Sequence, residues 1–477
     1  MPLDRSTLPR RSRAPVPRPA RRSLRPLLIR LHFYAAVFVA PFILVAASSG
    51  MLYAASPQVE KLIYHDELYN DSTGTALPLS DQIETARAVE PDLPLLAVRS
   101  GPDIGTNTQI LFDDGRTDDS KRLAVFVDPV TGDVAGSLTS YGSSGSLPFR
   151  TWIDELHRGL HLGDPGRIYS ELAASWLWVI ALAGLALWWT NPGRTRLLRP
   201  QPKRPDGTGS TDARRRTLSW HGPLGTWVVL GMLGLSATGL TWSQYAGANV
   251  TELRQAMNWS TPEVMADLEQ TRGGGDSQTH HGGDSDHSPR TVDGAGYDLA
   301  LAAASEKGLS EPVEVTGPIS ENGAFVVQEL DPRWPTNADA VSVHPRTGEV
   351  LDVVRFEDYP FAAKLATWGI DLHMGLLFGV WNQAALIALG ASLLTMVLLG
   401  YRMWWLRRPT RGHALRLGRP PRRGSWRSAP RATAALLVLA AVVGWFLPLF
   451  GISLLLFVLV DVIVGLYGAR RRAGPSA

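Results

Sequence analysis

Long apolar runs constrain the fold of this chain more than any other feature. Four of them lie at residues 31–55, 169–190, 224–242 and 382–405. A helix of about 20 residues crosses the hydrocarbon core of a bilayer. A fifth run, at 432–467, is long enough for two such helices and is interrupted near Leu447 and Pro448, which indicates a helical hairpin. The sequence therefore predicts a mainly α-helical integral membrane protein with six spans.

Charged residues alternate between the runs in a way that predicts orientation. Arg and Lys dominate residues 1–30, 191–219, 406–431 and 469–477, whereas residues 56–150 and 243–364 are acidic. Because basic segments beside spans are retained in the cytoplasm, both termini are predicted to be cytoplasmic and both acidic segments to lie outside. Topology and contact with the lipid bilayer explain the basic runs, so no nucleic acid partner is expected. We expect a multi-pass protein of the cytoplasmic (inner or plasma) membrane.

Two related stretches occur on either side of the middle of the chain. "RTWIDELHRGLHLG" at 150–163 aligns with "ATWGIDLHMGLLFG" at 366–379, and the same alignment, without a gap, places "VDPVTGDV" at 127–134 over "VHPRTGEV" at 343–350. A second alignment, of the first and third apolar runs, places His32 over His221 and Gly50 over Gly239. This pattern predicts an internal duplication of a unit made of span, outer domain and span.

Each acidic segment is predicted to form a small α+β domain, because a helical stretch precedes a strand, a Pro- and Gly-containing turn and a second strand. The absence of Cys excludes disulfides and thiolate-held metals. The predicted order is a cytoplasmic tail (1–30), the first span (31–55), an outer domain (56–150), an amphipathic entry with the second span (151–190), a cytoplasmic loop (191–220), the third span (221–242), a second outer domain (243–364) with a disordered His-rich insert (271–290), an entry with the fourth span (365–405), a cytoplasmic loop (406–431), the hairpin of the fifth and sixth spans (432–468) and a tail (469–477).

These motifs and their order resemble the PepSY-associated transmembrane (PepSY-TM) family, in which PepSY domains with a D-P-x-T-G-x-V hairpin alternate with helices that carry a Leu-His pair. The resemblance covers roughly residues 25–408 and leaves the terminal hairpin outside. Members of this family resemble di-haem ferric-siderophore reductases of the bacterial inner membrane. The resemblance therefore implies two PepSY-like outer domains, two b-type haems, electron transfer across the membrane and a ferric siderophore as substrate.

Four histidines fall at matched positions beside the spans. His32 and His221 begin the first and third spans on the cytoplasmic side, whereas His157 and His373 lead into the second and fourth spans on the outer side. Each haem b is held by one imidazole on each face of its iron. The predicted ligands are therefore His32 and His221 for an inner haem and His157 and His373 for an outer haem, with no catalytic residue beyond the haems. An interfacial histidine bonded to backbone or headgroups is the alternative for each.

His161 has no counterpart, because Leu377 occupies the equivalent position. On a continuous helix His161 lies about 6 Å from His157 on the same face, so it is a possible replacement for His157 as the outer ligand, a partner for a haem propionate or a substrate contact. The choice between the two histidines stays open. Small residues at matched positions are predicted to let the macrocycle or a neighbouring helix approach closely: Gly159, Gly163, Gly375 and Gly379.

The chain contains no motif for a nucleotide or flavin site of its own, so a cytoplasmic donor or a quinol is expected to supply the electrons. Trp334 and Tyr359 are candidate substrate contacts. The candidates for neutralising haem propionates are Arg30, Arg150, Arg158, Lys364 and Arg402. Two other functions are compatible with the sequence. One is a non-enzymatic PepSY-based membrane regulator that binds peptides or proteins, and the other is a haem electron conduit to another acceptor.

Overall fold

A computed structural model describes residues 25–115, 120–191, 199–200, 210–268, 293–320, 322–407 and 430–472. The predicted insert at 271–290 lies outside the described residues. The helices are α1 (Arg25–Ile63), α2 (His65–Leu68), α3 (Leu79–Val89), α4 (Pro148–Gly159), α5 (Asp164–Trp189), α6 (Ser210–Thr241), α7 (Tyr245–Ala256), α8 (Gly294–Glu306), α9 (Phe361–Met374), α10 (Gly379–Trp405), α11 (Pro430–Phe446) and α12 (Pro448–Arg472). The strands are β1 (Leu95–Arg99), β2 (Thr108–Phe112), β3 (Lys121–Val127), β4 (Val134–Tyr141), β5 (Val313–Thr316), β6 (Phe325–Glu329), β7 (Ala340–Val343) and β8 (Val350–Val354).

Five of the described helices are long and apolar enough to cross a membrane: α1, α5, α6, α10 and α12. The sequence predicts six spans. The helix break near Pro448 lies where the sequence places it, but the apolar part of α11, Thr433–Phe446, falls short of a full span. At 1.5 Å per residue the 17 described residues of α11 reach about 25 Å, less than the thickness of the hydrocarbon core.

Helices α1, α5, α6 and α10 form a four-helix bundle. Helix α1 packs against α5 and α10, and α6 packs against the same two helices from the other side. Their buried residues form one apolar cluster that includes Ile43, Trp176, Met232 and Leu393. At one end of the bundle α1 and α6 finish and α5 and α10 begin, and the segments between them form the sheet. We call this end the sheet end.

The strands form one eight-stranded antiparallel sheet in the order β4-β3-β2-β1-β5-β6-β7-β8. Two separate outer domains are expected from the sequence, but β1 pairs with β5, with Val98 opposite Val315, and joins the two four-stranded halves. The pairing covers two strand edges that would otherwise expose unpaired backbone groups. Helices α3 and α8 pack against each other and bury Ile83 and Tyr297 in a core common to both halves.

The two predicted strand-turn-strand motifs are present as β3–β4 and β7–β8. A register shift between Phe126 and Val127 in the first motif recurs between Ser342 and Val343 in the second. The helical stretches that precede the strands in the sequence form α3 and α8. Each half of the sheet therefore has one helix, four strands and the same irregularity at equivalent positions of the two aligned stretches.

Helices α4 and α9 are separate from the spans that follow them. Helix α4 ends at Gly159, and both Leu160 and His161 adopt the left-handed conformation with φ of 53° and 55°. Helix α9 ends before Gly375, whose φ is 79°. The continuous helix assumed for His157 and His161 is therefore wrong, because the chain turns sharply between them and α5 begins only at Asp164.

Candidate functional site

The first histidine pair lies at the sheet end of the bundle. His157 on α4 and His373 on α9 face each other with ring centres 6.5 Å apart and ring planes at 61°. Each ring packs into the bundle from a helix that precedes a span. Trp242, just after the end of α6, lies 5.5 Å from the ring of His373, edge to face.

A hydroxyl group orients each ring of this pair. Nδ1 of His157 lies 2.9 Å from Oγ of Ser49 on α1, and Nδ1 of His373 lies 2.6 Å from Oγ1 of Thr238 on α6. The alignment that places His32 over His221 also places Ser49 over Thr238. With Nδ1 engaged in a hydrogen bond, Nε2 is the nitrogen left to bind a metal.

The second pair lies at the opposite end of the bundle. His32 on α1 and His221 on α6 have ring centres 6.3 Å apart and planes at 77°. Nδ1 of His32 donates to the carbonyl oxygen of Ile180 on α5 at 3.0 Å. His221 contacts the backbone of Met396 on α10, the residue that aligns with Ile180, although its Nδ1 has no hydrogen bond of normal geometry within the described residues. Matched backbone positions therefore lie beside the two rings, and the one at Ile180 accepts a hydrogen bond from His32.

An apolar cavity of about 340 Å³ surrounds the second pair. Besides the two imidazoles it is lined by side chains such as Leu177, Met232 and Val397 and by the backbone at Gly184 and Gly400. Three arginines stand at its polar end: Arg25, Arg214 and Arg407. Burial and the nearby charge of Arg214 lower the pKa of Arg407, as expected where cations gather. The cavity thus combines apolar walls, two imidazoles and a cationic mouth.

Glycines stand against two of the rings. A Cβ at Gly184 on α5 would lie 3.1 Å from the His32 ring, and one at Gly50 on α1 would lie 3.2 Å from the His157 ring. The four glycines predicted from the sequence to allow close approach do not lie against the histidine rings. Gly159 and Gly375 contact α5 and α10 where the chain turns, and Gly163 and Gly379 adopt positive φ.

The two pairs are separated along the bundle by a fixed number of residues. His32 and Ser49 on α1 are 17 positions apart, as are His221 and Thr238 on α6. At 1.5 Å per residue this spacing corresponds to about 25 Å. The two histidine pairs therefore lie at opposite ends of the bundle.

His161 is turned away from the first pair. Its Nδ1 lies 3.2 Å from a carboxylate oxygen of Glu155, and its ring packs 4.9 Å from that of Trp152. A hydrogen bond from Lys121 lowers the pKa of Glu155, and the hydrogen bond to His161 acts in the same direction. Of the two histidines left open by the sequence, His157 is the one that the structure places opposite His373.

Several other candidates already have partners elsewhere. Arg30 forms an ion pair with Asp461 on α12, and Arg150 forms one with Glu60 at 3.3 Å. Arg158 stacks on the ring of Tyr141, and Lys364 donates to the carbonyl of Glu357. Tyr359 is buried, whereas Trp334 is 55% exposed, and its backbone N–H donates to Leu377 just before α10. Trp334 is therefore the accessible member of the two aromatic candidates.

An acidic residue accompanies the first pair. Asp371, two residues before His373 on α9, is almost fully buried, and burial raises the pKa of its carboxyl group to about 6. On α10 nearby, the amide of Asn382 donates to the carbonyl of Leu372 at 2.9 Å, while its own oxygen is buried without a hydrogen bond among the described residues. The amide of Asn382 therefore ties the end of α9 to the start of α10.

Each pair brings two imidazole rings together. Within the described part of the chain, no group of three or more His, Asp or Glu side chains could hold a metal ion. With metal–nitrogen bonds of about 2 Å on each side, two imidazoles that share one metal have ring centres roughly 6 Å apart, close to both separations found here. The residues therefore fit a metal macrocycle, which would supply most of the ligands of its metal itself and would take the remaining two from a pair of imidazoles.

The chain matches the family described as "PepSY-associated TM region" over residues 29–407. It belongs to this family. The match covers the bundle, the sheet and all four paired histidines and ends before α11. Among curated proteins, none matches the chain. The family membership makes this PepSY-TM protein a membrane protein, in agreement with its apolar helices.

The groups that orient the imidazoles in this PepSY-TM protein were not among the residues predicted from the sequence. Ser49 and Thr238 were detectable in principle, because the alignment of the first and third apolar runs places one hydroxyl residue over the other. The backbone contacts of His32 and His221 with Ile180 and Met396 carry no side-chain signal, since any residue supplies a carbonyl group.

Proposed function

We propose that this protein is a membrane di-haem b oxidoreductase that passes electrons across the bilayer and reduces ferric iron in siderophores at the outer face. One observation carries the proposal: two histidine pairs, each with ring centres 6.3 to 6.5 Å apart, lie at opposite ends of one four-helix bundle. Bound haem iron supplies reversible one-electron chemistry. One electron delivered to each ferric ion gives the ferrous ion, which siderophores hold less tightly.

The chain's own residues orient and enclose both sites. His32 and His221 hold the inner haem, and His157 and His373 hold the outer one. Ser49, Thr238 and the carbonyl of Ile180 fix the rings, and mostly apolar side chains line the cavity around His32 and His221. The arginines at the mouth of that cavity, Arg25, Arg214 and Arg407, are suited to the carboxylates of a macrocycle, since guanidinium groups pair with carboxylates through charge-assisted hydrogen bonds.

The proposed orientation of the protein in the membrane is based on the distribution of charged residues. In the sequence, basic segments adjoin the helix ends that lie opposite the sheet. That end of the bundle and both termini are therefore assigned to the cytoplasm, and the sheet is assigned to the outer side of the inner membrane. Contacts support six crossings, although α11 is short. Asn249 on α7 donates to the carbonyl of Phe446 at 2.8 Å and so places the end of α11 near the sheet end, while Asp461 on α12 reaches Arg30 near the other end.

The repeated architecture supports the same proposal. In this proposal the chain is an internal duplication, and each half of the sheet is a PepSY-like domain whose helix, strands and register shift recur at the aligned positions of the other half. A duplicated unit would give each haem two equivalent histidine ligands. The donor is a cytoplasmic reductant or a quinol, and exposed Trp334, beside the start of α10 at the sheet end, is assigned as a siderophore contact.

The test begins with the full-length protein purified from haem-replete cells. We expect two b-type haems per chain in the visible spectrum and reoxidation of the dithionite-reduced protein by a ferric siderophore. His373→Ala and His221→Ala should each leave one haem, whereas His65→Ala, on α2 outside the bundle, should leave two. A colourless preparation would point to a PepSY-based binding protein, and haems that a ferric siderophore fails to oxidise would point to a conduit for another acceptor. Either result overturns the proposal.

A further inference from the structure

We propose that an anionic phospholipid binds in a groove on the outer surface of the bundle, between α6 and α10 at the end opposite the sheet. The groove has a volume of about 440 Å³ and is lined by Arg216, Thr217, Trp220, Leu224, Thr395, Leu399 and Arg402. None of these residues lines the cavity around His32 and His221. The site is therefore separate from the proposed haem sites and does not depend on them.

Two cations stand at one end of the groove. Arg216 on α6 and Arg402 on α10 are both exposed, and neither forms an ion pair with a carboxylate of the described residues. Arg30 and Arg150, by contrast, are each paired with a carboxylate. A guanidinium group matches the geometry of a phosphate through two parallel hydrogen bonds. Two uncompensated guanidinium groups on adjacent helices therefore form a site for the phosphate of a headgroup.

The remaining lining residues match the profile of a phospholipid below its headgroup. Trp220 is 54% exposed and lies one turn from Arg216, at the level where indole rings favour the membrane interface. Leu224 is eight residues from Arg216 on the same helix, which places it about 12 Å deeper. Leu399 lines the same groove from α10. The groove thus changes from cationic to aromatic to aliphatic along the membrane normal.

A lipid fits this gradient better than a soluble anion does. The hydroxyl groups of Thr217 and Thr395 donate to backbone carbonyls of their own helices, so the groove beneath the arginines offers an apolar wall. An inorganic anion would use only the guanidinium groups, whereas a phospholipid also covers Trp220, Leu224 and Leu399. Basic pockets between helices at the cytoplasmic side of membrane proteins are known to suit anionic headgroups.

The test compares lipids on the intact chain. Native mass spectrometry of the purified protein in detergent should show retention of added phosphatidylglycerol over phosphatidylcholine of the same chain length, and phosphatidylglycerol alone should raise the temperature of thermal unfolding. Arg216→Gln and Arg402→Gln should each weaken phosphatidylglycerol retention about tenfold, because each removes one charge-assisted contact. Arg215→Gln removes the same charge from the neighbouring position of α6, outside the groove, and should retain the lipid.

Several outcomes would overturn the proposal. These are equal retention of the two lipids, equal weakening by Arg215→Gln, and an increase in thermal stability with inorganic phosphate that matches the increase with phosphatidylglycerol. The comparison of lipids uses the unaltered chain, so it remains decisive even where a variant fails to fold. Because the haem content is measured separately, failure of this proposal leaves the di-haem proposal untouched.

Discussion

Ser49 and Thr238 determine which nitrogen of each imidazole at the sheet end remains available. Each hydroxyl lies within hydrogen-bond distance of an Nδ1 atom, so Nε2 is the nitrogen of each ring that is left without this partner. A hydroxyl group in this place also holds the ring plane, and such partners of metal-binding histidines commonly contribute about 10- to 100-fold to the affinity for the metal. The two side chains are thus positioning residues for His157 and His373.

Replacement of Thr238 by Val tests this role, because the variant keeps the volume and loses the hydrogen bond. In the di-haem proposal, we expect haem at the His157–His373 site to bind about 10- to 100-fold more weakly, with the inner haem retained, as measured by titration of haem into the haem-free protein. Thr241→Val is the matched control, since that hydroxyl group donates to the carbonyl of Thr238 on the same helix. Equal haem affinity in both variants would contradict the positioning role.

Asp128 and His344 occupy equivalent positions in the two strand-turn-strand motifs. The carboxylate of Asp128 accepts hydrogen bonds from the backbone N–H groups of Val130 and Thr131 at 2.8 and 3.2 Å and from the hydroxyl of Ser72. His344 replaces the carboxylate with Nδ1, which accepts from the N–H groups of Arg346 and Thr347, both at 3.2 Å. A turn that the sequence predicts from Pro and Gly is therefore also held by its first side chain.

The turn at Asp128 should depend on pH. Burial by itself raises the pKa of this carboxyl group, but the hydrogen bonds from Ser72, Val130 and Thr131 outweigh burial, and the pKa is lowered. The stabilisation of the folded turn by the Asp128 carboxylate is therefore complete at pH values above the unfolded pKa of about 4. It is lost as the pH falls through the lower pKa of the folded state.

Asp128→Ala should destabilise the turn locally by about 1–3 kcal/mol at neutral pH. We expect the Val130 and Thr131 amides to exchange hydrogen for deuterium faster in this variant than in the unaltered protein. His344→Asp is the complementary change and should leave the second turn at least as protected, because a carboxylate accepts both N–H groups. Unchanged exchange in Asp128→Ala would show that the strands alone hold the turn.

Among the helices, those predicted correctly from the sequence are the long apolar ones, because a long apolar run indicates a helix without knowledge of the rest of the fold. The four runs at 31–55, 169–190, 224–242 and 382–405 lie largely within α1, α5, α6 and α10. The break after Gly159 was missed because the helical pattern continues through the sequence, whereas the left-handed turn at Leu160 depends on the close approach of Gly159 to Gly166 of α5. The joined sheet was missed because two edge strands carry no mark of their partner.

The hairpin of α11 and α12 lies outside the family match and is attached to the bundle by polar contacts. Asp461 on α12 pairs with buried Arg30 on α1. The indole N–H of Trp176 on α5 donates to Oγ of Ser453 at 2.9 Å. These polar contacts and the packing of Leu447 and Phe450 into the apolar cluster of the bundle together define where the hairpin docks.

Asp461→Leu should destabilise the protein by about 3–5 kcal/mol, because it leaves the charge of Arg30 buried without a partner. A lower temperature of thermal unfolding in detergent would be the readout. The double variant Arg30→Met with Asp461→Leu removes both charges and should recover most of the loss, as expected for coupled residues in a double-mutant cycle. Additive losses from the two single changes would mean that the ion pair does not hold the hairpin.

The whole molecule combines a bundle with two histidine pairs and one sheet at a single end. From the sequence, the alternation of basic and acidic segments and the repeat placed His32, His157, His221 and His373 at the two ends. The cavity around His32 and His221 was not predictable, because its walls come from residues of four helices whose facing sides depend on packing. An apolar cavity of this size inside a close-packed bundle is unusual unless a ligand fills it.

Gly400→Leu separates a cavity built for a ligand from ordinary helix packing. Gly400 on α10 lines the cavity, and a Cβ added there meets no heavy atom within 4 Å, so the leucine side chain is accommodated in the haem-free protein. In the di-haem proposal the same side chain occupies space that the inner haem requires. We therefore expect a folded protein with one haem per chain, measured from the haem spectrum and the protein concentration. Gly234→Leu on α6 is the control, because that site is equally open but exposed outside the cavity, and it should keep both haems. Two haems in Gly400→Leu would mean that the cavity is not the inner haem site, even if His32 and His221 remain adjacent.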